Sequence, residues 1–291
     1  MKITAQQVNE LRKSTGAGMM DCKKALVETE GDMEKAIDVL RKKGQKVAAK
    51  RADRDATEGV VLSKVSADKT YAAVVMVNCE TDFVAKNSDF IGFTQSILDV
   101  AISNKAKTAD DLNNMDLNGR KVEELILDQT GVIGEKIQLG HFEIIEAESV
   151  YSYIHPGNRI ATIAGFNKSG DNLADAGKDI VMQIAAMDPV SLSKDDVSED
   201  VIKREIEIGM DQARQEGKPE EMLEKIATGT VNKFLKEITL VNQVFVKDEK
   251  QTIEQLLDNK NSAINGFKFF IVGEGIEKKE VDFASEVAAA Q

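Results

Sequence analysis

The chain has 291 residues, of which 42% are hydrophobic and 30% charged, a globular composition with room for two or more domains. Its 38 basic and 50 acidic side chains leave a net charge of −12, which repels a phosphate backbone and argues against direct nucleic-acid binding. Two distant cysteines and two histidines supply no zinc pattern, and no apolar run approaches the ~20 residues that span a bilayer. With no apolar segment after Met1, these features predict a soluble cytoplasmic chain with reduced thiols and no membrane contact.

The first segment reads as three short helices. Thr4 and Gln7 have the spacing of a capping box, and Ala5, Val8 and Leu11 line one face. Gly16 and Gly18 interrupt that pattern. Cys22, Ala25 and Leu26 mark a second helix that stops near Gly31. Asp32 caps a third, with Met33, Ala36, Ile37 and Leu40 on its apolar stripe, which is expected to end at Gly44. Residues 46–56 follow as a basic linker.

The periodicity then changes. Residues 60–65 and 71–77 are β-rich runs around a polar turn, hence a hairpin. A helix carrying Phe90, Phe93, Ile97 and Ala101 comes next, and another over 120–129. Strand patterns return at 137–145, 150–154 and 159–166, the last two joined by a tight tip at His155, Pro156, Gly157 and Asn158. Residues 173–187 are helical up to Asp188-Pro189. An antiparallel αα-hairpin is expected over 197–236, turning at Gly217-Lys218-Pro219. A strand-like run at 266–273 and a short helix at 282–290 close the chain. The fold class is α+β and multi-domain.

Chemical motifs are scarce. The sequence has no phosphate-binding P-loop, no dinucleotide fingerprint after a strand, no paired-histidine zinc motif and no nucleophile elbow. Cys79 with His155 is the one nucleophile–base pairing to weigh, against the ordinary reading of a small buried thiol at a strand. The expectation is a protein that is not an enzyme and holds no cofactor or metal.

A resemblance runs the length of the chain. Residues 11–26, which include Thr15-Gly16-Ala17-Gly18-Met19-Met20-Asp21-Cys22, are similar to the N-terminal signature of the bacterial elongation factor Ts family. Asn78-Cys79-Glu80-Thr81-Asp82-Phe83-Val84-Ala85-Lys86-Asn87 resembles that family's second motif. Further similarity lies at 184–189, 217–220, 273–278 and 282–289, in the family's order.

The resemblance implies a guanine-nucleotide exchange factor for the GTPase elongation factor Tu. It implies a ubiquitin-associated-like three-helix domain with its linker (1–54) and a core of two α+β subdomains with antiparallel sheets (55–140, then 141–188 with 227–278). An inserted coiled-coil αα-hairpin (189–226) that can form a homodimer and a C-terminal helical module (279–291) complete the layout. Thr81, Asp82, Phe83 and Val84 would dislodge Mg²⁺ from the partner, with Phe83 pushing between its helices. Leu11, Met19, Met20 and His155 would supply other partner contacts. Leu11 also reads as bundle core, and Phe83 also reads as the first core residue of the helix bearing Phe90. Pro156 and Ala161 depart from the family's hairpin pattern, which weakens the carry-over to His155. A plain protein-binding scaffold and a Cys79 hydrolase are the rival readings.

Overall fold

The structure, a computed structural model, describes residues 3–274. Three helices form the N-terminal bundle: α1 (Ala5–Thr15), α2 (Met19–Glu28) and α3 (Met33–Arg51). Each turn is set locally. Thr4 and Gln7 make the expected capping box, Gly16 takes a left-handed conformation that ends α1, and the Asp32 carboxylate accepts the Lys35 N–H at 3.1 Å to open α3. The bundle core is Val8, Leu11, Cys22, Ala25, Leu26 and Ala36.

Helix α3 does not stop at Gly44 but continues to Arg51. The expectation fails because Gly44 serves a neighbour rather than a terminus. A Cβ built on Gly131 would lie 2.3 Å from the Gly44 Cα, so the two backbones touch where no side chain fits. Packing of this kind outweighs the ~1 kcal/mol that glycine costs a helix interior.

The core begins with β1 (Glu58–Val65) and β2 (Tyr71–Cys79), followed by α4 (Asp82–Ala85), α5 (Ser88–Asn104) and α6 (Ala109–Asn114). A small ribbon, β3 (Asp116–Leu117) with β4 (Arg120–Lys121), leads into α7 (Val122–Ile133). Then come β5 (Gln138–Glu146), β6 (Ser149–Ile154), β7 (Ile160–Phe166) and α8 (Asp171–Met187). Two antiparallel sheets result, in the orders β1-β2-β5 and β10-β7-β6, with β10 spanning Ile264–Ile271. The junction expected at 140/141 therefore falls inside β5, a strand of the first sheet.

The layers follow from strand alternation. Tyr71, Ala73, Val75 and Val77 face α5 and α7 with Phe90, Ile97, Leu98 and Ile126. Val61, Val74 and Met76 face the second sheet at Ala161 and Val272, as Ala72 does at Val150 and Ile163. Ala164 and Phe166 face α8 at Leu173, Ile180 and Ile184. The order is helices, sheet, sheet, helix. Every residue of β2 is buried because it is the central strand of an inner layer.

The αα-hairpin consists of α9 (Glu199–Gln215) and α10 (Glu220–Ile238), so its second arm runs past the expected boundary at 226. Gly217, with φ of 77°, makes the turn. Leu223, Ala227, Val231 and Leu235 are buried, whereas Val201, Ile208 and Met222 remain exposed. At the root, the Val190 N–H donates to the Ile238 carbonyl at 2.8 Å. A ribbon of β8 (Val244–Phe245) and β9 (Asp248–Thr252), then α11 (Ile253–Asp258), complete the second core, a stretch in which the sequence pattern showed no elements. The expected C-terminal helix lies outside the described residues. Among the described residues no helix is long and apolar enough to cross a membrane.

Candidate partner-binding surface

Strand β2 ends at Cys79, and the chain turns through Glu80 and Thr81 into the single turn of α4. Thr81 is the N-cap: its hydroxyl accepts the Val84 N–H at 3.4 Å. Six residues on, the Asn87 side chain caps α5 by accepting the Asp89 N–H at 2.8 Å. These two caps divide into two helices what a simple apolar period joins. Phe83 therefore does not belong to the face of α5 that carries Phe90. It stands 81% exposed, while Val84 and Ala85 pack on the first core beneath it. A large aromatic left that open on a globular surface stabilises nothing in the fold.

Around Phe83 the polar groups are paired. Asp82 accepts from the Lys86 ammonium at 2.6 Å, and that bond holds its carboxyl below the usual range. Glu80 accepts from the Arg51 guanidinium at 2.7 Å, which ties the end of α3 to this turn. Lys136 adds bonds from its ammonium to the Ala52 and Arg54 carbonyls, each at 2.9 Å. The Glu135 carboxylate accepts from Glu80 and Thr81. The sequence motif contains Glu80 but gives it no role, and Arg51 and Glu135 go unmarked, because these partners lie 29 and more positions apart and no local pattern joins them.

Cys79 is fully buried and its thiol donates to the Thr81 carbonyl at 3.2 Å. Burial, followed by the nearby Glu135 and Glu58 carboxylates, pushes the thiol up to about 12. A nucleophilic cysteine needs the opposite environment. The hydrolase reading thus lacks an activated thiol, and the His155 ring bonds elsewhere, its Nδ1 lying 3.0 Å from the Tyr153 hydroxyl.

His155 is exposed at the tip between β6 and β7. Its N–H donates to the Ile160 carbonyl at 2.9 Å, and Gly157 and Asn158 take left-handed conformations. The tip lies at the same end of the molecule as the Cys79–Thr81 turn. The Val61 N–H donates to the Asn158 carbonyl at 2.9 Å, and Glu58 pairs in register with Cys79 while forming an ion pair with Arg159.

On the bundle, Met19 and Met20 are 54% and 61% exposed at the start of α2, with Val27 exposed further along the helix. Leu11 is different. At 0% exposure it belongs to the bundle core, packed among Val8, Leu26 and Ala36, and is not presented to a partner. A cavity of about 410 Å³ lies where the bundle meets α7, lined by residues such as Gly16, Lys43, Arg120 and Val132. Phe83 is not among its walls.

The described residues make a multi-domain α+β protein: a two-sheet core with helices on both outer faces, a docked helical bundle and a projecting αα-hairpin. Residues 80–274 match the family described as Elongation factor TS. Elongation factor Ts of Christiangramia forsetii is 50% identical over 268 residues, covering 92% of this chain and 97% of its own. That of Amoebophilus asiaticus is 48% identical over 276 residues, covering 94% and 100%. That of Azoarcus sp. (strain BH72) is 48% identical over 288 residues, covering 99% and 96%. The chain belongs to the elongation factor Ts family and is a translation elongation factor.

Proposed function

We propose that this protein is the guanine-nucleotide exchange factor of elongation factor Tu, acting in the cytoplasm by binding the GDP-loaded GTPase and releasing its nucleotide. The observation that carries the reading is the exposed Phe83 on a one-turn helix whose other side chains are anchored. Phe83 enters between helices of the GTPase domain and shifts the loop that holds Mg²⁺ and phosphate, with Thr81, Asp82 and Val84 presenting it. Mg²⁺ offsets phosphate charge, so displacing it weakens the nucleotide's hold.

Magnitudes decide how much Phe83 does alone. Burying a phenylalanine gains about 2–3 kcal/mol. Weakening GDP by ~10⁴ needs about 5.5 kcal/mol of differential binding. The remainder falls to contacts elsewhere, for which Met19, Met20 and His155 are the exposed candidates. The protein itself performs no bond chemistry in this scheme and needs no cofactor.

The test is stopped-flow release of a fluorescent GDP from elongation factor Tu. The native protein is expected to accelerate release, and Phe83→Ala to lose about 30- to 150-fold of the effect, the rate equivalent of the lost burial. A folded native protein that gives no acceleration at any concentration would sink the exchange reading and leave a scaffold as the better account.

A further inference from the structure

Helix α4 has four residues, too few to hold itself together, and its most apolar residue is in solvent. Its geometry must be imposed from outside. Val84 and Ala85 seat it on the first core, and the polar group that fixes its start is Glu135, which follows the left-handed Gly134 at the junction of α7 and β5. One carboxylate oxygen accepts the N–H groups of Glu80 at 3.1 Å and Thr81 at 3.0 Å. The other accepts the Thr81 hydroxyl at 2.7 Å. That same Thr81 hydroxyl oxygen accepts the Val84 N–H, so the bonds run from Glu135 through Thr81 to both sides of Phe83.

The grip is reciprocal. One oxygen of Glu80 accepts the Lys136 N–H at 2.6 Å, and the other accepts from Arg51. Residues 80–81 and 135–136 thus clasp each other by backbone–carboxylate bonds in both directions. Bonds to an ionised acceptor are about twice as strong as neutral ones, and fixing a contact residue before binding removes an ordering cost from the binding event.

We infer that Glu135 is a positioning residue for nucleotide exchange, its carboxylate holding the 80–84 turn so that Phe83 projects in a fixed direction. The inference rests on the exchange reading above. Glu135 does not touch the partner in this scheme; it acts through Thr81. Contacts on the bundle and on the β6–β7 tip set how the partner is loaded, so loss of Glu135 slows release from the assembled complex rather than its assembly.

The experiment pairs stopped-flow release with amide hydrogen exchange on the full chain. Glu135→Ala is expected to lower the maximal release rate at saturating protein by about tenfold, while half-saturation shifts by no more than about twofold. Glu135→Gln should recover most of the rate: its carbonyl oxygen accepts the two N–H groups and its amide donates to the Thr81 hydroxyl oxygen. In free Glu135→Ala, the amides of Val84, Ala85 and Lys86 should exchange faster, while those of β2 stay protected. Glu135→Met, which keeps the length without an acceptor, replaces the alanine variant if that chain does not fold. Native maximal rate with native protection in α4 would overturn the inference. So would a glutamine variant as impaired as the alanine one, or protection lost equally through β2. If the native protein releases no nucleotide, the exchange reading has failed, and amide protection in α4 alone decides whether Glu135 holds the turn.

Discussion

Cys79 sits under the same turn that Glu135 grips, and its thiol has a calculable consequence for stability. In the unfolded chain this proton leaves near the ordinary thiol value of 9.0; in the folded protein burial, then Glu135 and Glu58, hold it to about 12. Between those values the unfolded state binds fewer protons than the folded one, so unfolding becomes easier as pH rises. Below about 9 both states are protonated and the term vanishes. The urea midpoint should therefore fall from pH 9 to pH 11, and Cys79→Ala should flatten that slope while Tyr71, whose hydroxyl burial also raises, keeps part of it. Identical slopes in the two proteins would show that the thiol is not protected as described. Residue roles were unevenly legible from sequence. Phe83 and Phe90 are two helical turns apart, so the period alone puts them on one face; only the Asn87 cap separates them, and asparagine is too common for its presence to announce a break. Leu11 was open between core and contact, and no apolar pattern tells which leucine a bundle swallows.

Helix α3 and helix α7 meet at Gly44 and Gly131, and that seam sets how the bundle sits. The ion pair between Arg41 and Glu124, at 3.2 Å with both partners part-exposed, contributes at most ~1 kcal/mol. The glycine contact is harder to alter. A methyl on Gly131 would fall 2.3 Å from the Gly44 Cα and 3.4 Å from its neighbouring backbone atoms, with no flexible side chain to yield. Gly131→Ala should cost about 1–3 kcal/mol of docking. Gly44→Ala, whose methyl would meet the Gly131 Cα at an ordinary 3.4 Å, should cost less. Thermal unfolding followed by circular dichroism would show an early helical transition in Gly131→Ala; a melt superimposable on the native one would refute the seam. Elements were legible where neighbours do not matter. Caps and turns placed α1, α2 and the β1–β2 hairpin within a residue or two. Gly44 misled because its reason lies 87 positions away in sequence, between 44 and 131. The β8–β9 ribbon and α11 were missed because pieces of six residues and fewer carry too little period to read.

Among the described residues, apolar clusters fill the bundle, each of the two core subdomains and the space between the sheets, and they are unequal. The two core subdomains share the interface between their sheets, where Val61, Val74 and Met76 meet Ala161 and Val272. The bundle buries chiefly alanine, cysteine, valine and two leucines, a small store of apolar area for roughly fifty residues of ordered chain. At about 25 cal/mol per Å², alanine-rich packing of this size leaves a domain marginal unless it is docked. The bundle should then open as a unit before the sheets do. In native-state hydrogen exchange under rising denaturant, amides of α1 and α2 should follow a sub-global opening of lower free energy than amides of β2. Gly131→Ala should lower the first and leave the second unchanged. Opening of this kind would also free Arg51 from Glu80, so the bundle's docking and the hold on the Phe83 turn are linked through that ion pair, beside the Lys136 bonds to the Ala52 and Arg54 carbonyls. Merging of all these amides onto a single global transition would mean that the seam between α3 and α7 is as strong as the sheets themselves, and that the bundle cannot move without unfolding the surface that carries Phe83.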